Sequence, residues 1–444
     1  MPFFLAYSLP LSGALRLHSG SRPPLPNPPH SGTHRAPNKP GYFEGWYVRI
    51  CSPSLPSPFA FMYSLEEGDR GRMQVLGMET DELLVTREAR GGCFPRPAHT
   101  PTGRLDLGQW WRTQDVELSG ARPLAPALFH QHILTGYQLN ALQHCGSVRS
   151  EDIDWQRSSA TGLRTGIVCA YNLRTTPLIG WGADGQRSTA TWLSQLQIFE
   201  PGWQVLSAYA LSSGTLMDWR GRRYAFEHAP TYVEKNWGAA FPSRWFWLQC
   251  QQFEHIELQP EYFTEAPFDP HTLLTLTAVG AMRDLCLPGR PQAVLTRERI
   301  GMIGVHVGGA FWEFTPWTCE VVRWDAGWGH WHIEADGHRY TAVVEAWADA
   351  RDDGALVLGP TTRGMEFVVR DGARGALQLS IRDRRTGRVI LDARTGRHAA
   401  VEVGGDWAPT CQPPRWAAER RAFSPPLKAL VYAGEGRRPR GVRV

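Results

Sequence analysis

Tyr42-Phe43-Glu44-Gly45-Trp46-Tyr47-Val48-Arg49-Ile50 reads as a β-strand with two distinct faces, because aromatic and β-branched residues crowd it and strand side chains alternate. Glu44 then shares a face with Trp46, Val48 and Ile50. Comparable apolar and aromatic runs recur at 59–65, 245–250, 273–279, 302–307, 320–324, 339–347 and 375–381, separated by Gly, Pro, Asp and Asn clusters. Many short strands punctuated by turn signals predict an all-β protein of barrels or sandwiches. One stretch, 128–142, is expected to be helical, since its apolar residues do not alternate. The run Tyr232-Val233-Glu234-Lys235-Asn236-Trp237 echoes the opening stretch by placing an acid just before a Trp. That echo predicts two similar β units joined near residues 218–230.

Composition agrees. The chain has 444 residues, 20% charged and 42% hydrophobic, with a net charge of +4, enough for two domains with sizeable cores. The near-balanced charge gives no sign of a nucleic-acid partner. Nineteen Trp are the unusual feature, and they suit half-buried strand surfaces and apolar pockets with polar rims. The eight cysteines stand singly, with no CxxC pair, as small core hydrophobes of a reducing compartment do. No N-x-[ST] sequon is present, and no uncharged apolar run reaches about 18 residues, so no transmembrane helix is predicted.

The ends differ from the middle. Residues 1–43 contain no Asp or Glu, and 1–28 reads as a leader of the transit-peptide kind. From Gln412 onward the chain carries eight Lys/Arg against two acids, a basic tail expected to be disordered and able to touch an anionic lipid surface. The predicted organisation is therefore a leader at 1–28, domains at 29–225 and 226–411, and a tail at 412–444.

Several motifs could carry chemistry. Gly180-Trp181-Gly182-Ala183-Asp184-Gly185 matches GxGxxG, yet no βαβ pattern follows it, so a Gly-rich turn is the better reading. His330-Trp331-His332-Ile333-Glu334 puts three potential ligands on one strand face. Its other face looks like core, so the polar side is expected to meet solvent and no metal site is predicted; His130-Gln131-His132 is read the same way. Glu44 is more informative. An ionised acid among apolar neighbours is costly, which raises its pKa, and a carboxyl kept protonated near neutral pH is what a general acid requires. The alternative is that Glu44 pairs with a buried Arg or accepts backbone hydrogen bonds. Downstream, Trp245, Trp247 and Gln249 share one strand face, an aromatic ladder ended by an amide that reads as a pocket floor.

Taken together, these segments resemble the tocopherol cyclase family. The resemblance rests on Pro29-His30-Ser31-Gly32, Phe43-Glu44-Gly45-Trp46-Tyr47, Phe61-Met62-Tyr63-Ser64, Gly180-Trp181-Gly182 and Phe199-Glu200-Pro201 with Trp203-Gln204-Val205. It continues through Glu234-Lys235-Asn236-Trp237-Gly238, Phe241-Pro242, Trp245-Phe246-Trp247, Val321-Val322-Arg323-Trp324, Pro360-Thr361-Thr362 and Ala400-Val401-Glu402-Val403-Gly404-Gly405. The resemblance implies a pair of tandem lipocalin-like antiparallel β-barrels, shared with carotenoid hydratases. It implies cyclisation of a prenylated hydroquinone to the chromanol ring of a tocopherol, in plastids and at lipid globules or thylakoids if the chain is from a plant or alga, and otherwise in the cytoplasm or at a membrane surface. The sequence departs from the family at Gln251-Gln252 and at His330 and His332, and its leader is short for plastid import.

The implied chemistry is the protonation of a trisubstituted alkene to a tertiary cation, which the phenol oxygen captures. Substrate and product are isomers, so no redox cofactor, metal or ATP is required. Glu44 or Glu234 is expected to be the acid, with Lys235, Asn236 and Gln249 orienting the hydroquinone. Trp46, Tyr63, Trp237, Trp245 and Trp247 would line the cation site. Two rivals share this architecture: a hydratase, in which water captures the cation, and a carrier that leaves prenyl lipids unchanged.

Overall fold

The computed structural model describes residues 41–407, apart from 53–54, 56–57, 67–69, 78–81, 91–128, 132–136, 140–142, 162–164, 184–186, 191–200, 260–273, 288–289, 308–309, 319–320 and 349–353. The leader at 1–28, the tail at 412–444 and the Pro29–Gly32 motif lie outside the described residues.

The first half of the chain forms β1 (Phe43–Ile50), β2 (Phe59–Glu66), β3 (Arg70–Gly77), β4 (Glu82–Val85), β5 (Ala89–Arg90), β6 (Phe129–Gln131), β7 (Tyr137–Leu139), β8 (Gln143–Arg149), β9 (Ile167–Ile179), β10 (Gly202–Met217) and β11 (Arg223–Gly238). The second half forms β12 (Arg244–Cys250), β13 (His255–Leu258), β14 (Thr275–Leu287), β15 (Arg290–Val307), β16 (Ala310–Phe314), β17 (Val321–Gly327), β18 (His330–Asp336), β19 (Tyr340–Trp347), β20 (Ala355–Thr361), β21 (Gly364–Asp383) and β22 (Val389–Gly405). The helical elements among the described residues are short 3-10 turns, Ser150–Asp152 and Pro316–Thr318. No helix among them is long and apolar enough to cross a membrane.

These strands make two antiparallel sheets. The first runs β4-β3-β2-β1-β11-β10-β9-β8-β7-β6, with β5 on β3. The second runs β16-β15-β14-β12-β22-β21-β19-β18-β17, with β13 on β22 and β20 on β21. Each sheet curls round its own core, as twisted antiparallel sheets with one apolar face do. Trp46, Val48, Ile50, Phe61, Tyr63 and Val75 fill the first, and Phe246, Leu248, Ile303, Trp331, Ile333 and Val401 fill the second. In the first sheet the outer edge of β4 is covered by residues 152–160, through bonds such as Ser159 N–H to Leu83 O at 2.8 Å. In the second, Trp324 on β17 reaches across to β15, its indole N–H donating to Ile300 O at 3.2 Å.

The opposite strand faces pack sheet against sheet. Trp181, Val205 and Tyr232 of the first meet Trp247, Met302 and Ala400 of the second. Alongside, Ala60 and Leu76 meet Trp245, Val357 and Val369. Two amides stitch this apolar contact. Gln74 exchanges both side-chain hydrogen bonds with the Leu358 backbone, at 3.0 and 2.9 Å. Gln251 donates to Ala208 O and Thr231 O, at 2.8 and 3.0 Å.

Three expectations change. Within 128–142 the described residues, 129–131 and 137–139, are the strands β6 and β7 rather than a helix, paired antiparallel and extended by pairing of β7 with β8; strand pairing overrode their local pattern. The chain passes from one sheet to the other between Gly238 and Arg244, so the border expected at 225/226 falls inside β11. The two echoing segments do not head separate units. They are neighbours in one sheet, β1 and β11, with Glu44 opposite Trp237 and Trp46 opposite Lys235.

Candidate active site

Alternation along β1 and β11 sorts the candidate residues onto two faces. Glu44, Trp46, Lys235 and Trp237 turn into the first half-barrel. Tyr47, Tyr232, Glu234 and Asn236 turn towards the second sheet, since Tyr47 sits opposite Glu234 in register. On the facing wall, β12 presents Trp245 and Trp247, and β22 presents Glu402 directly opposite Trp247. Between the walls lies a cavity of about 220 Å³, lined among others by Tyr47, Met62, Trp203, Glu234, Asn236, Trp245, Trp247, Met302 and Glu402.

Glu44 is buried and faces the apolar side as expected, but it meets a cation there. Lys235 Nζ lies 3.2 Å from its Oε2, and both side chains are almost wholly buried. The ammonium also sits 5.1 Å and 5.4 Å from the Trp46 and Trp237 ring centres. This is a structural pairing, with a lysine where an arginine was expected, and neither Glu44 nor Lys235 lines the cavity. Trp46, Tyr63 and Trp237 border it, but Trp46 and Tyr63 pack in the first core. The Tyr63 hydroxyl is engaged there with Tyr171, at 2.8 Å, and with His144 Nε2. Burial pushes His144 down to about 3, so its ring is neutral. Gln249 continues the Trp245–Trp247 face, yet it accepts from Arg49 Nη1 at 2.8 Å and does not line the cavity.

The cavity's own acids are Glu234 and Glu402. Burial raises the pKa of Glu234, opposed by hydrogen bonds from Trp203 Nε1 at 2.9 Å, Tyr232 hydroxyl at 2.7 Å and Asn236 Nδ2 at 3.3 Å. Burial raises Glu402 well above the carboxylate range, with the charge of Asp371 adding to it. A single donor, Trp245 Nε1 at 2.6 Å, opposes that rise. Glu402 is half-buried and lines the cavity. Asp371 stands opposite Glu402 on β21 and is pushed up to about 7, by burial first. Tyr47 completes the wall, its ring 5.2 Å from Trp247 in an edge contact. Burial, then the nearby Asp371, keep its phenol protonated.

Sequence reading missed Glu402, Asp371, Tyr47 and Trp203 as a group. The alternation of Ala400-Val401-Glu402-Val403-Gly404 is the signal that could have found Glu402: an acid on a strand otherwise built of small and apolar residues. The other motifs are structural. In the Gly180-Trp181-Gly182 turn, Trp181 plugs into the second sheet, where its ring fills the space a Cβ on Gly304 would occupy. Its indole donates to Glu313 at 3.2 Å. His330 and His332 each hydrogen-bond Glu345 at 2.6 Å. His330 is buried against Glu345 rather than facing solvent, while Trp331, Ile333 and Ala335 fill the second core.

Two curled antiparallel sheets that enclose an aromatic, acid-bearing cavity define a β protein equipped to hold an apolar molecule and hand it a proton. The chain belongs to the tocopherol cyclase-like family, whose model matches residues 40–405. It is 32% identical over 403 residues to a probable chloroplastic tocopherol cyclase of Oryza sativa subsp. japonica, covering 85% of this chain and 78% of that one. A chloroplastic tocopherol cyclase of Zea mays matches at the same identity, over 85% and 77%. Among solved structures, kievitone hydratase from Nectria haematococca aligns with a TM-score of 0.40 at 12% identity, over 83% of this chain and 90% of that one.

Proposed function

We propose that this protein closes the chromanol ring of a prenylated hydroquinone by proton-initiated intramolecular addition, producing a tocopherol. Glu402 carries the reading: a carboxyl kept protonated by burial, oriented by Trp245, on the wall of an aromatic cavity. Its proton adds to the less substituted alkene carbon and leaves a tertiary cation. The phenol oxygen bonds to the tertiary cationic carbon and gives up its own proton, so atoms and charge balance and the product is an isomer of the substrate.

Each wall has a part in this. Trp203, Trp245 and Trp247 turn π-density towards the cavity, worth about 0.5–2 kcal/mol each for a bound cation. Glu234, held by three donors that favour its ionised form, accepts the phenol proton, and Asn236 fixes its orientation. Holding oxygen and cation together removes much of the entropic barrier, and the apolar walls keep water from competing. The protein works in the plastid, as the names of its relatives and the acid-free first 43 residues suggest. Its basic tail suits the anionic surface of a lipid globule.

The test is direct. Purified protein is incubated anaerobically with reduced dimethyl-phytyl-hydroquinone, and the products are resolved by chiral chromatography. A single chromanol enantiomer is expected. A tertiary alcohol would make the protein a hydratase, and unchanged substrate co-eluting with folded protein would make it a carrier.

A further inference from the structure

Asp371 takes no part in the steps above, yet it is 1% exposed and its carboxyl has no side-chain hydrogen-bond partner. Such a group is expensive to keep unless something depends on it. Its place is specific. Asp371 on β21 is the direct cross-strand partner of Glu402 on β22, and directly opposed side chains leave their Cβ atoms about 5 Å apart. It does not line the cavity, so it stands beside Glu402 on the same sheet face, outside the lining.

A cation that acts on Asp371 is Arg49, on the first sheet. Its guanidinium spends its donors on neutral acceptors: Gln249 Oε1 at 2.8 Å, His398 O at 2.7 Å and Ala373 O at 3.4 Å. Arg49 therefore lowers the cost of one negative charge at Asp371 without capturing either carboxylate in an ion pair. Three acids, the buried Glu234 and Asp371 and the half-buried Glu402, thus gather where the two sheets meet, with Arg49 acting on Asp371. Tyr47, from β1, adds a neutral phenol to the group. Two carboxyls this close cannot both ionise near neutral pH.

We propose that Asp371 is a positioning residue for the acid: it carries the charge of the Asp371–Glu402 pair, stabilised by Arg49, and thereby holds Glu402 in the protonated form that donates to the alkene. The inference rests on the cyclase reading only for the identity of the acceptor. The division of labour is a property of the pair itself, with the charge outside the cavity lining and the proton on it.

The experiment measures kcat/KM of Asp371→Asn against pH, together with the infrared band of protonated carboxyls, assigned to Glu402 by its loss in Glu402→Gln. Without the neighbouring charge, Glu402 should ionise earlier. The alkaline limb and the carboxyl band should both move to lower pH, by about one unit or more. Activity lost at pH 8 should return on acidification. A rate scaled down equally at every pH, with the Glu402 band unmoved, would overturn the proposal and leave Asp371 a packing residue. Should the Asn variant fold poorly, Asp371→Ser, smaller and equally uncharged, gives the same readout. The infrared titration needs no substrate, so it stands or falls separately from the reaction: a protein that makes no chromanol yet shows the shifted band would sink the cyclase and keep the pair.

Discussion

Glu402 and Glu44 are both carboxyls held beside tryptophans, and their neighbours give them opposite tasks. Glu402 has an indole donor and a second acid; Glu44 has a buried ammonium. Glu402→Gln should therefore lower kcat by about 100-fold or more, the usual contribution of a positioned general acid, with far-UV circular dichroism unchanged. Retained turnover in a folded Gln variant would remove it from the mechanism. Glu44→Gln should instead destabilise the fold by roughly 3–5 kcal/mol in urea unfolding, because Lys235 stays buried with its charge, and leave turnover per folded molecule in place. Asp371 adds a signature in stability. The unfolded chain ionises it near 3.8, while the folded protein holds its proton until about 7, so its stabilising contribution is full below 3.8 and lost as pH rises through that window. Asp371→Asn should flatten the Tm-against-pH curve between those values; a slope equal to that of the parent would contradict the burial argument.

At the scale of elements, glycines seat the large aromatics. An ideal Cβ on Gly304 would lie 2.2 Å from the Trp181 ring, and one on Gly404 would lie 1.9 Å from that of Trp245. The Gly-Trp-Gly turn is thus a staple from the first sheet into the second rather than a phosphate cradle. Gly304→Ala should cost about 1–3 kcal/mol by overpacking, and Trp181→Ala about 3–5 kcal/mol by loss of the plug. Because both act on one contact, the double variant should lose clearly less than the sum; additive losses would show that the turn does not brace the sheets. The strands themselves are largely legible, since the apolar and aromatic runs at 59–65 and 245–250 lie on observed strands and that at 339–347 does so from residue 340. The 128–142 segment was not legible. Short strands such as β6 and β7 are settled by their hydrogen-bonding neighbours, and local composition carries no trace of those.

At the scale of the molecule, the cavity belongs to neither sheet. Glu234 and Trp203 come from one, Glu402 and Trp245 from the other, and mixed apolar clusters with the Gln74 and Gln251 clamps hold the two in place. A large apolar interface couples the stability of its halves. Denaturant unfolding followed by tryptophan fluorescence and by far-UV circular dichroism should give coincident midpoints. Two separated transitions would mean that the sheets fold alone and merely touch.

The sequence by itself determined the β character, the family and the presence of buried acids beside tryptophans, because alternation and residue type are local properties of the chain. It could not tell which face of β1 and β11 meets the second sheet. Period-2 alternation defines two faces without naming their partners, so Glu44 and Glu234 looked equivalent until packing sent one to Lys235 and the other to the cavity. The pairing of Glu402 with Asp371, and the approach of Arg49 from the other sheet, join residues distant in sequence. Only the tertiary structure brings those charges within range of each other, and charge range is what decides which carboxyl keeps its proton.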